Sequence, residues 1–336
     1  GASTFTVANG ENITLDSDST FTGAVTFTPS GGTIASVTIN DSNAFILQAL
    51  TTTGNLTVTA GGNITDSGTV TVGGNLTATT DANSGVIDLG TLAVDGTMAL
   101  TTHGTGAAIV VNDAGLNFAA STVGGALSAT ATTGNIIDAG ALTITGTSTF
   151  VTIANDATIT LDQGGHAFTG ALLITTNDTS TDTAGDVTIS AGSSAALDFG
   201  NSTIDGDLIA TSSNATGITD SGAMTVRGTA SFQTTATNAD ISLGTSTLGD
   251  GTGTDTITLN TTGSGGDATL DNGTTAVALG TSAAALVTSV GGNLTLTSGA
   301  AAGITDSATV TVGGNLIATT DDNDGVINMG TLLVDG

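Results

Sequence analysis

Twenty-nine acidic side chains, nearly all aspartate, stand against one arginine and two histidines, and chemistry in this chain must be built from these groups. Acid–base or nucleophilic catalysis needs groups poised within hydrogen-bond reach of one another. His103 follows a Thr-Thr strand end, and His166 closes the turn-like run Gln163-Gly164-Gly165-His166. Neither has a second histidine nearby in sequence, so both read as surface turn residues. Arg227 stands where the related unit has Gly73. With Tyr and Trp absent there is no aromatic platform for sugars, and no enzymatic activity is expected.

Aspartate is the remaining chemical resource, and oxygen-rich loops suit calcium, which takes six to eight oxygen ligands. Asp250-Gly251-Thr252-Gly253-Thr254-Asp255 approximates a calcium-binding nonapeptide, in a single copy. Asp178, Asp182 and Asp186 recur at every fourth residue, and Asp321, Asp322 and Asp324 crowd a second acidic loop. These eight residues are the calcium candidates. A different role fits Asp66, Asp88, Asp138, Asp220 and Asp306. They fall at a recurring turn motif in which a side chain just before glycine accepts hydrogen bonds from its own turn.

That recurrence exposes the organisation. Residues 69–96, TVTVGGNLTATTDANSGVIDLGTLAVDG, return at 309–336 as TVTVGGNLIATTDDNDGVINMGTLLVDG, displaced by 240 positions. Inside this period residues 116–150 align with 197–232, giving modules of about 80 residues, the mark of an array whose units bury their apolar faces by stacking. The finest step, taken from Asp66 to Asp88, is about 20–23 residues, short enough for one coil of such an array. Between turns, Val70, Val72 and Leu76 share one parity, and Thr69, Thr71, Asn75 and Thr77 the other. Period-two alternation broken by glycine pairs reads as short strands with one buried face.

A sandwich would pair distant strands. A coil places equivalent turns above one another at every small step, so the expected fold is an all-β parallel β-helix, or β-solenoid, with rungs of about 20–23 residues. At about 21 residues per rung and roughly 4.8 Å between rungs, the chain gives roughly 16 rungs and a rod of roughly 75 to 80 Å. No linker interrupts residues 1–336, which are read as one continuous solenoid cut from a longer array. Phe118 and Phe199 are counterparts, as are Phe150 and Phe232, and are expected in register in the core.

A formal net charge of −28 repels phosphate backbones and anionic head groups, so neither nucleic acid nor a membrane surface is an expected partner. No apolar run reaches about 18 residues, so no membrane insertion is expected. The absence of cysteine leaves the redox compartment open. With one arginine and no lysine, trypsin-like proteases find almost nothing to cut, which suits an exposed extracellular polymer. Asparagines after glycine, such as Asn55, Asn75 and Asn293, suit a corner ladder, and several also lie in N-x-[ST] sequons. Thr-x-Thr runs such as Thr57/Thr59 would align as outward ladders, resembling ice-binding β-solenoids, although threonine is in any case a good solvent-facing strand residue.

The phrases GNLTVTAGGNI at 54–64 and VGGNLTA at 72–78 resemble the G-x-[LIV]-x-[LIV]-x-A-G-G-x-[LIV] repeats of filamentous-haemagglutinin-like adhesins and related giant surface proteins. The resemblance spans most of the chain and implies a right-handed parallel β-helix, export to the cell surface, and a role in adhesion, aggregation or an external sheath. The secretion domain of that family has no match within residues 1–336. The expected partners are neighbouring repeats or copies stacked end to end, with cell-surface glycans engaged through regions outside these residues. The alternatives are a calcium-stabilised passive spacer, a polysaccharide-acting β-helix enzyme and an ice-binding solenoid.

Overall fold

The computed structural model describes residues 1–177, 179, 184–244, 246–249, 255–281, 286–321 and 324–336. Among them no helix is long and apolar enough to cross a membrane, which leaves strand-based crossing untouched. The chain is a β-solenoid of about 14 turns, divided into two compact units, Gly1–Ala154 and Asn155–Gly336.

The alternation of the sequence becomes the two faces of each strand. In Leu56–Ala60, Leu56, Val58 and Ala60 are wholly buried, while Thr57 and Thr59 turn outward. Side chains in a strand point alternately to opposite sides, so every second residue enters the core. Stacking is parallel and in register. Leu56 pairs with Leu76 and Leu76 with Met98, carrying Thr57, Thr77 and Ala99 into one outward column.

Coil length varies. In the first unit the shorter coils bring Val37 onto Leu56, and the longer ones Ile13 onto Val37. The second unit runs from the compact step that pairs Val187 with Leu208 to the much wider one that pairs Asn260 with Ser289. These wider coils account for a count below the expected 16. Extra residues are accommodated partly between strands, where length costs little, and partly by register shifts inside them, as between Leu15 and Ser19 and between Leu161 and His166.

Each coil crosses two sheets. A crossing is either one strand, such as Leu127–Ala131, or a broken pair, such as Ile64–Asp66 with Val70–Val72. From Ile64 the chain visits alternate sheets at Leu76, Ile87, Met98, Ala108, Leu116, Leu127 and Ile136, seven crossings in all. Seven is odd. Ile136–Asp138 therefore lies in the sheet opposite to Ile64–Asp66, although the two segments are sequence counterparts. The second unit repeats the device, with seven crossings from Gly217–Asp220 to Ile304–Asp306. One module is three and a half turns, so neighbouring modules show the same motif on opposite faces.

The four phenylalanines that recur in the repeat lie in the core as expected, but they meet across the two sheets and not in register. Phe118 and Phe150 meet edge-to-face at 6.1 Å in the first unit, and Phe199 and Phe232 at 6.4 Å in the second, all wholly buried. This geometry aligns the positive ring edge with the negative face.

Close coil contact demands glycine at some corners. Gly217 has φ +92°, and an added Cβ would run into the carbonyl of Asp240 in the next coil. Gly217→Ala should cost about 1–3 kcal/mol in urea unfolding. Gly90→Ala, where the added Cβ meets nothing within 4 Å, should stay within about 0.5 kcal/mol of the parent.

Candidate functional site: side-chain ladders at the coil corners

Where the chain leaves one sheet for the other, its amides lose their strand partners, and buried or half-buried amides must find acceptors elsewhere. Side chains of the preceding coil supply them. In the first unit Asn55 N donates to Ser36 Oγ (3.0 Å), Asn75 N to Asn55 Oδ1 (2.9 Å) and Thr97 N to Asn75 Oδ1 (2.9 Å). In the second unit Asp267 N donates to Asp240 Oδ1 (2.9 Å), Asn293 N to Asp267 Oδ1 (2.7 Å) and Asn315 N to Asn293 Oδ1 (2.9 Å). The asparagine ladder of the sequence is thus mainly side chain to backbone, one coil to the next.

The motif aspartates also reach upward. Asp66 accepts from Gly90 N (3.1 Å), Thr91 N (2.8 Å) and the Thr91 hydroxyl. Asp220 accepts from Gly244 N (2.8 Å) and Ser246 Oγ (2.9 Å), and Asp306 from Gly330 N. These bonds clamp successive coils; the donors shown belong to the next coil, outside the aspartate's own turn. Asp138 ends its strand in register with Phe118 of the coil before it. Asp88 differs. Ile64 pairs with Ile87 and Thr65 with Asp88, a step of 23 rather than 22, so Asp88 projects from the outer side of the strand Ile87–Val94 and not from a turn. A one-residue change of register exchanges the inner and outer faces.

Of the calcium candidates, Asp178, Asp182, Asp250 and Asp322 lie outside the described residues. Asp186 Oδ1 accepts from Asp207 N at 2.9 Å, a ladder role. The Asp321 amide donates to Ser298 O, and Asp255 and Asp324 are placed on bends or turns. Among the described residues no three of His, Cys, Asp or Glu are gathered as metal ligands.

The histidines part company. His103 is exposed at the end of its strand, with Nδ1 2.6 Å from Thr80 O. His166, expected on a surface turn, lies wholly buried in the strand Ile159–Phe168 and stacks on Phe168 at 5.5 Å. A long strand absorbs the glycine pair that looked like a turn. Arg227 pairs with Asp205 at 3.1 Å.

Two buried asparagines had no place in the motif reading. Asn112 Oδ1 accepts from Val94 N (2.9 Å), and its Nδ2 donates to Val94 O (3.1 Å) and Gly115 O (2.6 Å). Asn272 repeats this in the second unit, with Leu248 N (2.7 Å), Leu248 O (3.0 Å) and Ala276 O (2.8 Å). In each case a longer crossing is followed by a shorter strand, and the side-chain amide stands in for the missing peptide group. Their parity was the available signal: Ala108, Val110 and Asn112 share the buried side, as do Ala268, Leu270 and Asn272.

The architecture agrees with the comparisons to known proteins. A family described as repeats of unknown function (DUF5649) matches residues 31–89, 105–175 and 184–264, more than half of the chain. The chain belongs to this repeat family. Successive matches begin at positions 31, 105 and 184. No curated protein and no solved structure matches the chain.

Two outcomes test this account of the corners of a family member. Asn112→Ala leaves one amide and two carbonyls without their side-chain partner and should destabilise by about 3 kcal/mol or more in urea unfolding. Asp207 is held above its ordinary value of 3.8, first by burial and also by the Asp186 carboxylate, against the lowering effect of the Thr229 amide. An acid whose folded pKa is raised weakens the fold once it ionises, so the penalty is present at neutral pH and is relieved on acidification. Asp207→Asn keeps an acceptor for Thr229 N. It should melt above the parent at pH 7, with the difference vanishing below the ordinary value of 3.8.

Proposed function

We propose that residues 1–336 form a structural and adhesive fibre segment exposed outside the cell, either the shaft of a giant surface adhesin or a coil-on-coil filament or sheath, without catalysis. The observation that supports this reading is the stacking of like coil on like coil, with the apolar face of each covered by its neighbours. Ile87, Leu92 and Val94 are 0%, 2% and 3% exposed, Ile87 lying between Ile64 of one neighbouring coil and Ala108 of the other. A coil is therefore completed by another coil of like sequence, from the same array or from a second copy. A strand edge left unpaired is a template for further pairing.

The exterior supports the same reading. Its charge of −28 keeps an extended surface hydrated and apart from its neighbours. The corner aspartates and asparagines are engaged in holding coils together. Cell-surface glycans would be met by regions outside these residues.

Immunogold labelling of intact producing cells, with negative-stain microscopy of purified residues 1–336, tests this. Label on surface fibres is the expected result, and label confined to the cell interior would overturn it. Filaments from the purified chain would assign self-stacking; discrete rods would assign a covalent shaft. A melting temperature unchanged by EDTA would remove calcium from the mechanism.

A further inference from the structure

Asparagine followed by glycine is a chemically labile pair. The glycine amide nitrogen attacks the asparagine Cγ, the Cγ–Nδ2 bond breaks, and the side-chain nitrogen leaves as ammonia together with the amide proton. Water then opens the resulting succinimide at either carbonyl, giving aspartate or isoaspartate. A second residue without Cβ is what lets the nitrogen approach. The chain has two such pairs, Asn9-Gly10 and Asn272-Gly273. Asn9 is exposed, whereas Asn272 is wholly buried and bonds one coil to the coil before it.

The fold holds the reacting groups of the second pair apart from reaction. The leaving nitrogen, Nδ2, is pinned by two acceptors, Leu248 O (3.0 Å) and Ala276 O (2.8 Å), and Oδ1 by Leu248 N (2.7 Å). The attacking amide is committed elsewhere: Gly273 N donates to Asp271 Oδ1 at 3.0 Å. Attack needs a free nitrogen aligned in near-contact with Cγ, so these bonds must give way first. A corner that opens locally loses all of them together.

We propose that Asn272-Gly273 is a modification site gated by the fold, at which succinimide formation turns an opening of this corner into a change that refolding cannot undo. Aspartate at 272 keeps an acceptor for Leu248 N but has lost the donor that satisfied Leu248 O and Ala276 O. Isoaspartate also lengthens the main chain, in an architecture where a small slip of register exchanges inner and outer faces. Asn112 makes the equivalent three bonds in the first unit but is followed by Asp113, whose side chain hinders the attacking amide. The two capping asparagines thus fill one structural role and differ in chemical durability.

The test is site-resolved peptide mass spectrometry of residues 1–336 held at mildly alkaline pH, folded and in unfolding urea. In urea Asn272 and Asn9 should convert while Asn112 lags. In the folded chain conversion at Asn272 should be slower by about tenfold or more, the ratio measuring how seldom the corner opens. After dilution from urea, chains that regain resistance to a broad-specificity protease should be depleted of converted Asn272 relative to those that do not. Asn272→Asp, one product of the reaction, should melt about 3 °C or more below the parent or fail to fold. Asn272 intact in urea while Asn9 converts, Asn112 keeping pace with Asn272, equal rates in the folded and unfolded chain, equal conversion in the refolded and unrefolded fractions, or Asn272→Asp melting with the parent would overturn the proposal.

Discussion

Every part of this molecule answers to one constraint: a coil's backbone can satisfy its hydrogen bonds only through the coils next to it. In a parallel ladder each amide and carbonyl points along the stacking direction, so a residue comes to rest on its counterpart about 4.8 Å away. Like stacks on like. Leu56, Leu76 and Met98 form an inward column because all three are apolar, and Thr57 and Thr77 an outward one because threonine tolerates both water and the strand backbone. A substitution is thus felt along a column as well as at its own site.

The corners are where this constraint is hardest to meet. Coil-to-coil pairing lapses there, and the chain substitutes side chains for peptide groups. Asn55 and Asn75 offer their oxygens to the coil ahead, Asp66 gathers two amides and a hydroxyl, and Asn112 and Asn272 reproduce both halves of a peptide at the point where a strand is missing. The acidic composition follows in part from this demand, since a short carboxylate is a strong acceptor for amides. Its cost shows where two carboxylates stack. Asp207 above Asp186 is pushed toward its neutral form, first by burial and also by its neighbour's charge.

The same economy of space governs the corner groups. The surface that joins one coil to the next is the chain's dominant apolar resource, and the corner groups that elsewhere would do chemistry are committed to backbone amides. Asp41 and Asp306 each engage one carboxylate oxygen with backbone amides and leave the other buried without a hydrogen-bond partner.

The amino-acid sequence by itself determined the class of fold, the parity of the core and the repeat hierarchy, because these depend on local alternation and on recurrence along the chain. The burial of Phe118, Phe150, Phe199 and Phe232 was legible for that reason, whereas the contacts of Phe118 with Phe150 and of Phe199 with Phe232 were not. Register was not. Whether Asp88 lies over Thr65 or over Asp66 turns on a single residue accommodated in the intervening loop, and only the paired backbone resolves it. The burial of His166, the hidden roles of Asn112 and Asn272, and wide coils such as the one from Asn260 to Ser289 depend in the same way on what the neighbouring coil presents. The reversal of faces between modules is likewise tertiary: recurrence in sequence counts residues, whereas the solenoid counts half-turns, and seven of these return a motif to the opposite sheet.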